Sequence, residues 1–228
     1  MRNNDLLGDY VYTRLASRYV LNLEEFVAPR LKNISLFEFI VAVMLSQNTN
    51  DRNAWRAYDN LKKNIGEITP GRIESANLEE VAESIKIAGM YKNRALRIKE
   101  LAQIFRLNDI DKHIRDHLMQ NNIEKAREML LEIPGVGYKT ADVVLLMYYG
   151  VPVFPVDTHI MRVTIRMGFA KRKDYDSISR FWATNTSPSN YLKLHLLLIT
   201  HGRETCKARK PRCTNCVLID LCSYGVGK

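Results

Sequence analysis

The amino-acid sequence predicts an all-α fold. Apolar residues recur at three- and four-residue spacing along most of the chain, and short clusters of turn-forming residues interrupt these runs. Nowhere do polar and apolar residues alternate between hairpin turns, as a half-buried strand would require. About ten short helices joined by short loops would account for the 228 residues.

Leu7, Tyr10, Val11, Leu15, Tyr19, Val20 and Leu23 mark one or two amphipathic helices between Leu6 and Val27. Ile34 to Leu45 follows as an apolar helix carrying Phe37, Phe39, Ile40, Val43 and Met44. The polar cluster Ser46-Gln47-Asn48-Thr49-Asn50-Asp51 reads as a capped loop, and a new helix runs from about Asp51 through Trp55, Tyr58 and Leu61. Thr69-Pro70-Gly71 gives turn chemistry to the segment from Ile68 to Asn77. A short helix from Leu78 stops at Gly89, and another begins near Asn93 and continues through Ile98, Leu101 and Phe105. Met90, at the junction of these two helices, reads as a plug in the core. Arg106 to Asn122 is weakly patterned. His113 and His117 lie four apart there but have no third ligand nearby, which points to a solvated helix face and not a metal site.

Two helical arms meet at a glycine hairpin between Leu131 and Gly150. Ala126, Met129, Leu130 and Ile133 give the first arm its apolar face, and Ala141, Val144, Leu145 and Tyr148 give the second. Pro134-Gly135-Val136-Gly137 breaks the periodicity between them. Its glycines clear side chains from a loop whose amides open onto the next helix N-terminus, a place suited to a phosphate. Lys139 falls in the first turn of that helix, where the helix dipole disfavours a cation. Val151 to Val156 contains two prolines and reads as an extended connector. A helix then starts at Asp157-Thr158-His159, backed by Ile160, Val163, Thr164 and Met167. Two further helical runs cover about Ser177 to Trp182 and Tyr191 to His201.

Lys and Arg outnumber Asp and Glu by 34 to 25, for a net charge of +9, which suits either a nucleic-acid partner or a basic soluble surface. No apolar run near the N-terminus resembles a signal peptide, and none approaches the roughly 20 residues of a membrane span. An intracellular protein, cytoplasmic or nucleoid-associated, is therefore expected, with no membrane partner. In that setting four cysteines confined to the C-terminal tail point to metal ligation before disulfides. Cys206, Cys213, Cys216 and Cys222 are spaced C-x6-C-x2-C-x5-C. Four thiolates at this spacing suit tetrahedral zinc or a [4Fe-4S] cluster, and the single C-x-x-C pair with loops of unequal length favours the bulkier cluster. Lys207, Arg209, Lys210 and Arg212 lie between the first two ligands. They form a basic tab suited to phosphates, or merely offset the thiolate charge.

Chain geometry also lets Lys139 and Asp157 meet. A helix from Lys139 to Gly150 advances about 17 Å, and an extended link to Asp157 can return up to about 23 Å. An amine shielded from water at a helix N-terminus is expected to have a lowered pKa and to be a usable nucleophile. A carboxylate beside it opposes that shift, yet can accept the amine's proton. A surface lysine and a helix-capping aspartate would have the same sequence pattern.

Leu131 to Ala141, Val156-Asp157-Thr158-His159-Ile160, His201 to Cys206 and the C-x6-C-x2-C-x5-C tail together resemble the endonuclease III family of DNA glycosylases. The resemblance runs from about Leu36 to Tyr224. It implies two helical lobes with DNA in the groove between them: a helical barrel over 29–150 that includes a helix-hairpin-helix at about 123–150, and an iron-sulfur domain built from 1–28 and 151–228 with its cluster loop at 206–222. The implied activity is a bifunctional glycosylase and abasic-site β-lyase that removes oxidised pyrimidines from double-stranded DNA and works as a monomer. Lys139 would attack C1′ and form a Schiff base, assisted by Asp157. Gly135, Val136 and Gly137 would meet a phosphate, and the four cysteines would hold a [4Fe-4S] cluster. Met90 stands where the family places an apolar wedge into the stack. A gap-filling glutamine aligns with Asn48, with Gln47 one residue early. Related mismatch glycosylases, which lack lyase activity, replace the lysine by tyrosine or serine. Lys139 in register, after Tyr138, favours the bifunctional reading, with a monofunctional mismatch glycosylase as the alternative.

Overall fold

The computed structural model describes residues 6–23, 26–31 and 33–226. Among these residues every regular element is helical and no strand occurs. The chain divides into two compact units, one from Asn22 to Tyr149 and the other from Met1–Leu21 together with Gly150–Lys228. Helix α1 (Leu7–Ala16) therefore belongs with the C-terminal part of the chain. It is shorter than the pattern from Leu6 to Val27 suggests, and Val20 beyond it is fully exposed.

The unit from Asn22 to Tyr149 begins with α2 (Val27–Arg30) and is built around α3 (Leu36–Ser46). Nine of the eleven residues in α3 are buried, so this helix is apolar on all sides, as a central helix must be. The Ser35 hydroxyl caps it by accepting from the Glu38 amide. Around it pack α2, α4 (Asp51–Ile65), α7 (Tyr91–Leu107) and α10 (Tyr138–Met147). The expected turn at Thr69-Pro70-Gly71 is instead the start of α5 (Pro70–Ser75). Thr69 caps this helix and Pro70 takes a first-turn position, where its missing N–H costs nothing. Helix α6 (Leu78–Ser84) ends in a single 3-10 turn at Lys86–Ala88. Helix α7 starts at Tyr91, earlier than the expected Asn93. The weakly patterned stretch also forms a helix, α8 (Ile110–Met119), whose only buried residue is Ile114. Helices α9 (Ile123–Leu131) and α10 are the two arms of the glycine hairpin.

In the other unit, α13 (Tyr191–Glu204) is the central helix and packs against α1 and α11 (Thr158–Met167). Residues 151–156 form no regular element and are largely buried, with the Val153 amide donating to the Val151 carbonyl at 2.8 Å. Phe154 is fully buried and stacks against Trp182 of α12 (Tyr175–Thr184), while His195 Nδ1 lies 2.9 Å from the Pro155 carbonyl. These contacts anchor the connector immediately before Asp157. Beyond α13, the 3-10 turns Cys213–Asn215 and Ile219–Leu221 and the short α14 (Ser223–Val226) carry the cysteine-rich tail. No helix is long and apolar enough to cross a membrane among the described residues.

Candidate nucleic-acid and iron-sulfur site

The hairpin is set by one glycine and one buried ion pair. Gly135 has φ +87, a left-handed conformation that suits glycine, and a Cβ there would lie 3.1 Å from Met44 Cε. The Val136 side chain is buried and its amide donates to the Ile133 carbonyl, so this residue closes the turn. The amides of Gly135 and Gly137 take no part in the backbone hydrogen bonds that close it. Below the turn, Arg127 Nε donates to the fully buried Asp142 across 2.7 Å and joins α9 to α10. Burial alone would lower the Arg127 pKa, but Asp142 and Glu124 outweigh it and raise the guanidinium above its ordinary range. Lys139 is half-buried in the first turn of α10, directly after the hairpin, and Tyr138 beside it is half-exposed.

Two loops expected to fill a vacated base stack converge near this hairpin. Gln47 Nε2 donates to the Gly135 carbonyl at 3.0 Å and to Thr140 Oγ1 at 3.1 Å, so its side chain is committed to the hairpin. Asn48 is exposed with φ +52, and Met90 is 64% exposed with φ +50. Met90 is therefore not the core plug that its apolar side chain suggests. Gln47, Asn48, Met90 and Gly135 line a single cavity of about 430 Å³.

Asp157 lies in the other unit and caps α11, its Oδ1 accepting from the Ile160 amide at 2.8 Å. Helix α11 crosses α13 closely at Gly202, where a Cβ would lie 2.7 Å from His159 Cβ. Arg162 secures the crossing by donating to the Gly202 carbonyl at 2.8 Å and the Cys206 carbonyl at 3.0 Å. The start of the cysteine loop is thus tied to the first turns of the helix that Asp157 caps.

Cys206, Cys213, Cys216 and Cys222 form no disulfide and line one cavity with Val163, Met167 and Leu218 among its walls. Four cysteine sulfurs lining one shared cavity are a donor set that would fit a [4Fe-4S] cluster. Burial pushes the Cys216 thiol pKa up, yet nitrogen groups face two of the sulfurs. Arg166 Nη1 lies 3.4 Å from Cys206 Sγ, and His201 Nε2 lies 3.7 Å from Cys216 Sγ. Burial pushes the His201 pKa down to about 4, and its Nδ1 meets the Tyr19 hydroxyl at 2.9 Å, which in turn meets Thr205 Oγ1 at 2.7 Å. With the Tyr19 hydroxyl donating to Nδ1, the neutral imidazole carries its proton on Nε2 and directs it at the sulfur. Lys210 adopts φ +50 in the basic tab, and Arg209, Lys210 and Arg212 are exposed, with Lys207 half-buried. Arg166 gathers the tab from within by donating to the carbonyls of Lys207 at 2.7 Å and Ala208 at 3.0 Å.

Sequence patterning did not single out Arg94, Arg127, Arg162 or Arg166. Arg94 shares the apolar stripe of Ile98 and Leu101, and Asp142 interrupts the buried run from Ala141 to Leu145. A charge inside an apolar stripe is the available signal in both cases.

Residues 41–187 match the HhH-GPD superfamily of base excision DNA repair proteins, and residues 206–222 match the iron-sulfur binding domain of endonuclease III. The chain is 39% identical to endonuclease III of Sulfolobus acidocaldarius over 96% of each protein. It is 35% identical to endonuclease III of Escherichia coli over 83% of this chain and 84% of that protein. A solved structure of a trapped endonuclease III–DNA covalent intermediate superposes with a TM-score of 0.72 at 28% identity, covering 97% of this chain and 98% of that one. A thermostable thymine-DNA glycosylase shares the fold, with a TM-score of 0.76 at 21% identity over 97% of this chain and 95% of that one. The fold and site thus define a helix-hairpin-helix base-excision-repair DNA glycosylase with a [4Fe-4S] cofactor. Within that class the chain belongs to the endonuclease III family, whose enzymes combine glycosylase and abasic-site lyase activity.

Proposed function

We propose that this enzyme removes oxidised pyrimidines from double-stranded DNA, with Lys139 as nucleophile and Asp157 as its proton acceptor. The observation that carries the reading is the position of Lys139. It occupies the first helical turn after a glycine hairpin whose form is fixed by Gly135 and by the Arg127–Asp142 pair. The Nζ lone pair attacks C1′ as the glycosidic C–N bond breaks and the base leaves with the bonding electrons. The amine's proton passes to Asp157, whose carboxylate also offsets the positive charge developing at C1′. Ring opening gives a Schiff base. Loss of a C2′ proton then expels the 3′-phosphate and cuts the strand.

The amides of Gly135 and Gly137 hold a phosphate beside the lesion, and Asn48 and Met90 occupy the space left by the flipped nucleotide. Asn48 is the better candidate for the polar filler, because the Gln47 side chain is already bonded to the hairpin. Arg209, Lys210 and Arg212 contact the backbone, with Lys207 nearer the loop. The four cysteines ligate the [4Fe-4S] cluster, which takes no part in the bond-breaking steps. The Asn22–Tyr149 unit is the helical barrel and the other unit the iron-sulfur domain. The protein acts as a monomer on intracellular DNA.

Borohydride reduction should trap a covalent adduct with duplex DNA containing thymine glycol, and Lys139→Gln should abolish it. A protein that releases bases without ever trapping would instead be a monofunctional mismatch glycosylase.

A further inference from the structure

Arg94 lies in the first turns of α7 and is 7% exposed. Its Nη2 donates to the Gln47 carbonyl at 2.6 Å, and its Nη1 donates to the Ala88 carbonyl at 3.0 Å. The two carbonyls belong to separate loops. Burial lowers the Arg94 pKa, and among the described residues no carboxylate pairs with it. A buried cation held by neutral carbonyls is a costly arrangement. What it provides is the rigid fork of the guanidinium, which fixes two acceptors at one separation.

Each gripped carbonyl is closely followed by an exposed residue in the left-handed conformation. Asn48 (φ +52) comes directly after Gln47, and Met90 (φ +50) follows Ala88 across Gly89. That conformation costs roughly 1–2 kcal/mol at a residue such as Met90, which holds it only where the surroundings enforce it, whereas asparagine adopts it more readily. Asn48, Met90 and Arg94 line the same cavity.

We propose that Arg94 is a positioning residue that locks the Asn48 and Met90 loops in register, so that both side chains enter the vacated stack together. The proposal deepens the glycosylase reading and rests on it. Lysine cannot span both carbonyls with the same fork, so Arg94→Lys should keep only part of the effect and Arg94→Met almost none. Misplacing the loops by about 1 Å should lower kcat/KM on a lesion duplex about 100-fold. A preformed abasic site in single-stranded DNA has no opposing base and no stack to fill, so borohydride trapping there should fall less in Arg94→Met than trapping in duplex DNA, with any loss on the single strand reporting the Gln47 link to the hairpin.

The deciding measurement is the fluorescence of 2-aminopurine placed opposite a tetrahydrofuran abasic analogue in duplex DNA. It needs no covalent chemistry, so it reads the loops even if Lys139 proves not to be the nucleophile. At saturating protein the wild type should give a distinct change in emission that Arg94→Met loses and Arg94→Lys partly restores. An unaltered signal in Arg94→Met, or equal losses on single-stranded and duplex abasic DNA, would overturn the proposal. Should Arg94→Met fail to fold, a wild-type signal in Arg94→Lys would overturn it equally.

Discussion

Arg127 and Asp142 meet across 2.7 Å at the seam of the hairpin, the carboxylate fully buried and the arginine side chain 16% exposed. An ion pair of this kind contributes little beyond a well-packed apolar pair, but removing one partner leaves a desolvated charge behind. Asp142→Asn should therefore destabilise the protein by about 3–5 kcal/mol. In a chain of this length that corresponds to a fall in Tm on the order of 10 °C. The double replacement Arg127→Met with Asp142→Leu should recover much of the loss. A thermal melt showing Asp142→Asn as stable as the wild type would mean that the pair does not hold the arms together.

The same residues show what could be read from sequence. Helix α3 was legible because its apolar run is too continuous for a surface helix, and it proved to be the buried centre of its unit. The hairpin was legible because Pro134 and the glycines cannot continue α9, and the tail because cysteines at C-x6-C-x2-C-x5-C have few other uses. Thr69-Pro70 was misread because a cap followed by proline serves a turn and a helix start equally well. Met90 looked like core because hydropathy says nothing about backbone conformation, and its left-handed φ holds the side chain out. Arg94 is marked as buried by the apolar stripe it shares, but what it binds is not legible. Its partners are carbonyls, which every residue carries, so no spacing of side chains marks them.

Asp9 gives the unit containing α1 a defined acid limit. Its carboxylate accepts from the Ser187 amide and hydroxyl and from Asn190 Nδ2. Burial acts to raise the Asp9 pKa, but these hydrogen bonds outweigh it and the net shift is downward. A depressed carboxylate contributes stability that is complete above its unfolded pKa of about 3.9 and is lost as pH falls through the lower folded value. Asp9→Ala should cost on the order of 1 kcal/mol at neutral pH, since the group is partly solvated. The gap from wild type should narrow as pH falls below about 4. A gap constant from pH 7 to pH 3 in denaturant titrations would show that the ionised form of Asp9 contributes nothing.

The basic tab gives a prediction that separates charge from shape. Phosphate contacts carry no base information, so Arg209→Ala or Lys210→Ala should weaken binding to all duplexes alike. Each lost contact should reduce the slope of log K against log salt by about 0.9. Arg166 does not share their exposure. It points inward and holds the carbonyls of Lys207 and Ala208, so Arg166→Met leaves the exposed charges of the tab in place while releasing the loop that carries them. If the tab works because it is held in one shape, Arg166→Met should reduce the slope by at least as much as either surface substitution. If only the exposed charges of the tab matter, affinity for undamaged duplex should be unchanged in Arg166→Met. Titrations of undamaged and lesion-bearing duplexes at several salt concentrations decide between these outcomes. A change confined to lesion selectivity, with non-specific affinity intact, would show that the tab does not bind the phosphate backbone.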